Sequence, residues 1–219
     1  MNAGALRRVG VFGGAFDPPH RAHVDLARAS LAQLQLDELR VVPTGDAWHK
    51  PRNLSAAAHR LKMTQLAFAD LPQVVVDDRE LQRSGPSYTF DTLQSLHADL
   101  PGSRFFLLMG GDQFASRTSW HRWQDILGLA TICIADRAAT GAPSGRVGPT
   151  GPATLPTLSS SDANATLRLE LGLMPISATD IRQRVAQGAS VEALAQLVPE
   201  AVARYISLHR LYSAASASP

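Results

Sequence analysis

Residues 9–23 read VGVFGGAFDPPHRAH, and this stretch constrains the rest of the chain more than any other. An apolar run (Val9, Val11, Phe12) stops at Gly13 and Gly14; Phe16, Asp17, Pro18 and Pro19 then lead to His20 and His23. Val24, Ala27, Leu31 and Leu34 follow at helical spacing. The pattern predicts a strand, a glycine turn and a helix whose N-terminal end carries two imidazoles. Glycine lets main-chain N–H groups approach an anion, and a helix N-terminus adds the positive end of its dipole. Histidines three apart on a helix face the same way, so both can point at one phosphate chain. Either histidine alone reads more readily as a surface residue or a metal ligand. Together with the glycine pair and Asp-Pro-Pro in one segment, they favour a phosphate site.

Downstream, short apolar runs alternate with helical patterns, as βαβ units and a parallel sheet require. Strands are predicted over 39–42, 74–76, 104–109 and 131–135, with an edge strand over 167–171. Helices are predicted over 55–71, 88–100, 120–127 and 177–187, the last closed by Gly188, with amphipathic turns over 191–197 and 202–209. The loop 44–53 (TGDAWHKPRN) falls at the carboxyl edge of the sheet, where open α/β sheets bind ligands. Residues 138–164 are Gly, Pro, Ser, Thr and Ala with little that could pack, which predicts a flexible insertion. The expected architecture is α/β, a Rossmann-like doubly wound parallel sheet in one domain over 1–212. Residues 177–212 form its small helical C-terminal part, and 213–219 a frayed tail.

Composition narrows the function classes. The 219 residues are 45% hydrophobic and 18% charged, enough apolar material for a sizeable core. The formal charge is +2, the arginines are scattered, and Lys50 and Lys62 are the lysines, so no concentrated basic face suggests nucleic acid. No apolar run approaches a membrane span of about 18 residues, and the N-terminal apolar run is too short for a signal peptide. The single cysteine, Cys133, sits in the apolar run TICIA, which excludes an intrachain disulfide and fits a buried thiol in a reducing cytoplasm. The expected setting is cytoplasmic, without membrane or nucleic-acid partner. The oligomeric state stays open.

A second constellation is ISATDIRQR, 176–184. Ser177 suits a helix N-cap, with Asp180 as a weak capping-box partner. Thr179 and Arg182 share a face beside the first-turn amides, offering hydroxyl, guanidinium and N–H donors to a phosphate chain.

GGAFDPPHRAH resembles the GG-x-FDP-x-H-x-GH signature of the nucleotidylyltransferase superfamily, in particular its bacterial nicotinate mononucleotide adenylyltransferase branch. Ala15 and Ala22 stand where that branch usually has Thr or Ser and Gly. ISATDIR is similar to the branch's IS-x-T-x-IR text. The resemblance implies that His20, His23 and Arg182 are catalytic. It places Gly13, Gly14, Phe16, Asp112, Ser177 and Thr179 beside them in an ATP site, with Asp112 near the ribose. RSGPSYTFDTL (83–93) is similar to PSYT-x-x-TL, implying that the backbone around Thr89 meets the nicotinate carboxylate, with His121 nearby. GGDQFASRTSWHRW implies that Trp120 stacks on the pyridine ring, while Trp123 reads as core. His49 and Lys50 are implied phosphate ligands of the acceptor, in a loop where Ala47 and Trp48 replace the usual Pro-Pro. VPEAVARYISLHRLY (198–212) matches the branch's closing text and reads as packing without a catalytic role.

The implied reaction joins ATP and nicotinate mononucleotide into deamido-NAD with release of pyrophosphate. Mg²⁺ would be carried with ATP, bridging β and γ oxygens. A neutral-pH phosphate is already nucleophilic, so no general base is needed, and no Ser-His-Asp or Cys-His signature or zinc-type His/Cys cluster is present. Nicotinamide mononucleotide or another phosphate acceptor is the nearest alternative; a non-catalytic nucleotide sensor would have been favoured by loss of His20, His23 or Arg182.

Overall fold

The computed structural model describes residues 6–45, 54–137, 166–171 and 175–213. The expected insertion 138–164 lies outside this range. The elements run β1 (Arg8–Gly14), α1 (Arg21–Gln33), β2 (Glu38–Pro43), α2 (Ala57–Phe68), β3 (Val74–Val76), α3 (Arg79–Gln82), α4 (Thr89–Asp99) and β4 (Arg104–Gly110). Then come α5 (Gly111–Ala115), a 3₁₀ turn (Arg117–Ser119), α6 (Trp123–Leu129), β5 (Thr131–Arg137), β6 (Thr166–Leu171), α7 (Ala178–Ala186), α8 (Val191–Ala195) and α9 (Glu200–Leu208).

Six described strands pair in the order β3-β2-β1-β4-β5-β6, all parallel. The order reverses between β1 and β4, so the crevice beyond their carboxyl ends is the topological switch point at which such sheets bind ligands. Strand parity divides the interior into two layers. Val9, Val11, Phe105, Leu107, Met109, Ile132 and Ile134 face α4 and α6, packing on Phe90, Leu93, Leu96, Trp123 and Ile126. Phe12, Phe106, Leu108 and Cys133 face the other way, toward Val24, Ala27, Met63 and Phe68. Ile181, Leu194, Val202 and Ile206 join this second layer, so α7–α9 close the same core as α1 and α2 rather than hanging from it. No described helix is long and apolar enough to cross a membrane.

One helix end and one buried helix face differ from expectation for local reasons. The helix expected over 120–127 begins at Trp123, because Arg122 takes a left-handed backbone with φ 55°. The face expected for α2 was set by Ala57, Leu61, Thr64 and Phe68; the buried stripe is instead Arg60, Met63, Thr64, Ala67 and Phe68. An arginine heads a row that is apolar apart from Thr64, whose hydroxyl donates to Arg60 O at 2.7 Å.

Candidate active site

Gly13 and Gly14 do not form a turn. They are the last residues of β1, paired with Val42 and Pro43 of β2. The bend falls on Phe16, whose φ is 46°, followed by a cis Asp17–Pro18 bond. The Phe16 ring turns inward, 2% exposed, with Phe12, Phe68 and His23 around it at centroid distances of 5.3, 6.2 and 5.2 Å. Its side chain is therefore core support for His23. Gly14 is needed because a Cβ there would meet that ring at 3.0 Å, whereas at Gly13 a Cβ would meet nothing within 4 Å. The open space beside Gly13 leaves the strand end approachable.

His20 caps the N-terminus of α1 and is 8% exposed. Its main-chain N–H donates to His23 Nδ1 at 3.1 Å, and the two rings stack at 3.6 Å with 21° between planes. Since Nδ1 of His23 accepts, the neutral ring carries its proton on Nε2, as a donor. The expected pairing of the imidazoles is present. The start of α1 is tethered from the C-terminal part: Arg21 N–H donates to Leu197 O at 2.9 Å, and its guanidinium to Ala195 O at 2.8 and 3.1 Å.

Ser177 caps α7 as expected, its Oγ accepting Asp180 N–H at 3.1 Å. The capping box is only half formed, because the Asp180 carboxylate pairs one turn onward with Arg184 at 2.9 Å. Arg182 joins the two constellations. Its Nη2 donates to Thr179 Oγ1 at 3.0 Å and its Nη1 to the main-chain oxygen of Asp17 at 2.7 Å. Guanidinium, hydroxyl and helix N-terminus thus meet the loop that carries His20.

Three supporting residues escaped the sequence reading. Arg60, 3% exposed, donates to the carbonyls of Ser55 (3.0 Å), Ala15 (3.1 Å) and Thr44 (2.7 Å), binding the β1 loop to the β2 loop. Glu80 accepts Thr92 Oγ1 at 2.7 Å and also meets the Thr44 hydroxyl and Gly45 N–H. Burial pushes its carboxyl above the ordinary range against these donors. Gly45 approaches so closely that a Cβ would stand 2.1 Å from Glu80 O. Tyr212 reaches Asp17, described below. A polar residue on an apolar stripe was the available signal for Arg60; Glu80 and Tyr212 had none, since their partners are distant in sequence.

In the segment expected to meet the acceptor, Thr89 is the first residue of α4, so its N–H is among those left without an intrahelical partner. The Tyr88 ring packs over His121 at 4.5 Å, which joins the α4 N-terminus to the loop holding Trp120. Trp120 is half-buried and meets the buried Trp123 edge-to-face at 6.2 Å. Asp112 is exposed in α5, just past the carboxyl end of β4. His49 and Lys50 lie outside the described residues. Among those described, no group of three His, Cys, Asp or Glu side chains could hold a metal ion.

A family model described as cytidylyltransferase-like matches residues 11–184. The chain is 54% identical to a protein named "Probable nicotinate-nucleotide adenylyltransferase" from Albidiferax ferrireducens, over 96% of this chain and 100% of that one. The chain belongs to the nicotinate-nucleotide adenylyltransferase family. A relative of the same name from Bordetella petrii is 41% identical over 94% of this chain and 100% of its own. The fold is shared with Plasmodium falciparum nicotinic acid mononucleotide adenylyltransferase complexed with NaAD, at a TM-score of 0.69 and 17% identity, covering 94% of this chain and 97% of that one. Family membership agrees with the resemblance read from the two phosphate motifs.

Proposed function

We propose that this chain transfers the adenylyl group of ATP to the phosphate of nicotinate mononucleotide, giving deamido-NAD and pyrophosphate. The observation that carries this is the junction of the two constellations: Arg182, bonded to Thr179, reaches the carbonyl of Asp17 in the loop that ends at His20. A phosphate chain laid across the β1–β4 switch point would meet imidazole, guanidinium and helix N-terminal donors together.

An oxygen of the acceptor phosphate attacks the α-phosphorus in line. The bond from the α-phosphorus to the α,β-bridging oxygen breaks, and pyrophosphate leaves with the electron pair. Catalysis rests on alignment and on donors placed where charge builds up. His20, His23 and Arg182 supply those donors, and ATP enters as its Mg²⁺ complex, the ion keeping phosphate and water ligands. Asp112 serves the ribose; Trp120 stacks on the pyridine while N–H groups at Thr89 and His121 receive its carboxylate. The test is product identity. Incubation with Mg²⁺-ATP and a panel of acceptor phosphates should release pyrophosphate and form deamido-NAD with nicotinate mononucleotide; formation of a different dinucleotide only, or of none, would reject the proposal.

A further inference from the structure

The closing segment 198–212 reads as packing in sequence, yet its last residue reaches the phosphate loop. Helix α9 ends in a Schellman pattern: Leu211 N–H donates to Ile206 O at 3.0 Å and Arg210 N–H to Ser207 O at 3.1 Å, with Arg210 left-handed at φ 49°. The reversal sends Tyr212 back along α2, where its hydroxyl lies 3.9 Å from Met63 Sδ and 2.6 Å from Asp17 Oδ1.

Asp17 is 1% exposed, and a carboxylate so buried is tolerated only when hydrogen-bonded. Its Oδ2 accepts Ser55 N–H at 3.1 Å, its Oδ1 accepts the Tyr212 hydroxyl, and its main-chain oxygen accepts Arg182. A contact of 2.6 Å between O–H and carboxylate is in the range of charge-assisted bonds, stronger than neutral ones. Burial and the Asp17 carboxylate both push the Tyr212 phenol above its ordinary range, which keeps it a donor. Two residues separate Asp17 from His20.

We infer that Tyr212 is a positioning residue: through Asp17 it fixes the bend that aims His20 at the phosphates, so the C-terminal end of the fold sets the geometry of the N-terminal motif. The inference rests on the adenylyl-transfer proposal for its catalytic consequence, but the anchoring itself can be read without turnover. Because the hydroxyl acts on alignment of a group used at the transition state, its loss falls on kcat more than on KM.

The experiment compares the full-length wild type with Tyr212→Phe, Asp17→Ala and the double variant. Tyr212→Phe should lower kcat on the order of 10- to 100-fold with KM for ATP little changed, as small misplacements do. Added to Asp17→Ala it should cost nothing further, because the two act as a unit. Hydrogen–deuterium exchange supplies the second readout: a peptide spanning residues 12–24 should exchange faster in Tyr212→Phe, while peptides from β4 stay protected. Lost thermal stability with kcat, KM and exchange of 12–24 as in wild type would overturn the inference and leave Tyr212 as packing. Full additivity of the two substitutions would overturn it as well. If the wild type makes no deamido-NAD, the functional proposal falls, and the exchange comparison alone decides the anchoring.

Discussion

Replacing Arg60 by Met removes the fork that binds the β1 and β2 loops while keeping a side chain of similar length. Three donated hydrogen bonds disappear, to the carbonyls of Ser55, Ala15 and Thr44. Hydrogen bonds from charged groups contribute about 1.5–3 kcal/mol each. The acceptor residues are half-buried, so water can take up part of the loss, and the low end applies. That gives about 4–5 kcal/mol, offset by about 1–2 kcal/mol from burying the methionine. The net is about 3 kcal/mol, or roughly 6–12 °C in Tm for a domain of this size. Because Ala15 leads into the His20 loop, kcat should also fall, on the order of 10- to 100-fold. Urea unfolding followed by circular dichroism measures the first effect and pyrophosphate release the second. Arg60→Lys should recover less than half of either, since an ammonium cannot reproduce the planar fork. A variant indistinguishable from wild type in both assays would refute the account of Arg60 as the tie between the loops.

Other expectations follow from the same structure. His20→Ala and His23→Ala should each lower kcat on the order of 10²–10³-fold, the usual cost of removing a transition-state donor; near-wild-type turnover in either folded variant would remove it from the catalytic set. Burial alone would raise the Asp77 carboxyl, but hydrogen bonds and charge from Arg79, with the charge of Arg40, hold it below the ordinary value. Its contribution to stability is therefore present above the unfolded carboxyl value, about pH 4, and lost as pH falls through the lower folded value. Asp77→Asn should be less stable at neutral pH and lose less on acidification, and parallel urea-midpoint curves would contradict this. Burial pushes the Cys133 thiol up to about 12, so the native protein should resist alkylation at pH 8 and react once unfolded; rapid native labelling would show that β5 opens.

How much the chain disclosed by itself depended on the range of the interactions involved. The sheet was legible because each strand is a short apolar run whose alternate residues face two helical layers. The Val74–Val76 and 104–109 strands fall where the apolar runs put them. The two constellations were legible because the residues of each cluster within one short segment, and Arg182 joins those segments. The bend was misplaced because glycine is the usual residue for unusual backbone, whereas here burial of the Phe16 ring supports φ 46° without glycine. Tyr212 acts across the fold, and no local pattern encodes a partner 195 positions away.

Acceptor choice tests the central proposal most directly. N–H groups at Thr89 and His121 suit a carboxylate, which offers two charged acceptors; an amide turns one into a donor facing N–H, leaving groups unpaired at about 1–3 kcal/mol each. Measuring kcat/KM for nicotinate and nicotinamide mononucleotides should give a preference for the acid of roughly 5- to 150-fold. Trp120→Ala should weaken both acceptors alike, because stacking does not distinguish acid from amide. Equal use of acid and amide by the wild type would contradict the proposed carboxylate grip.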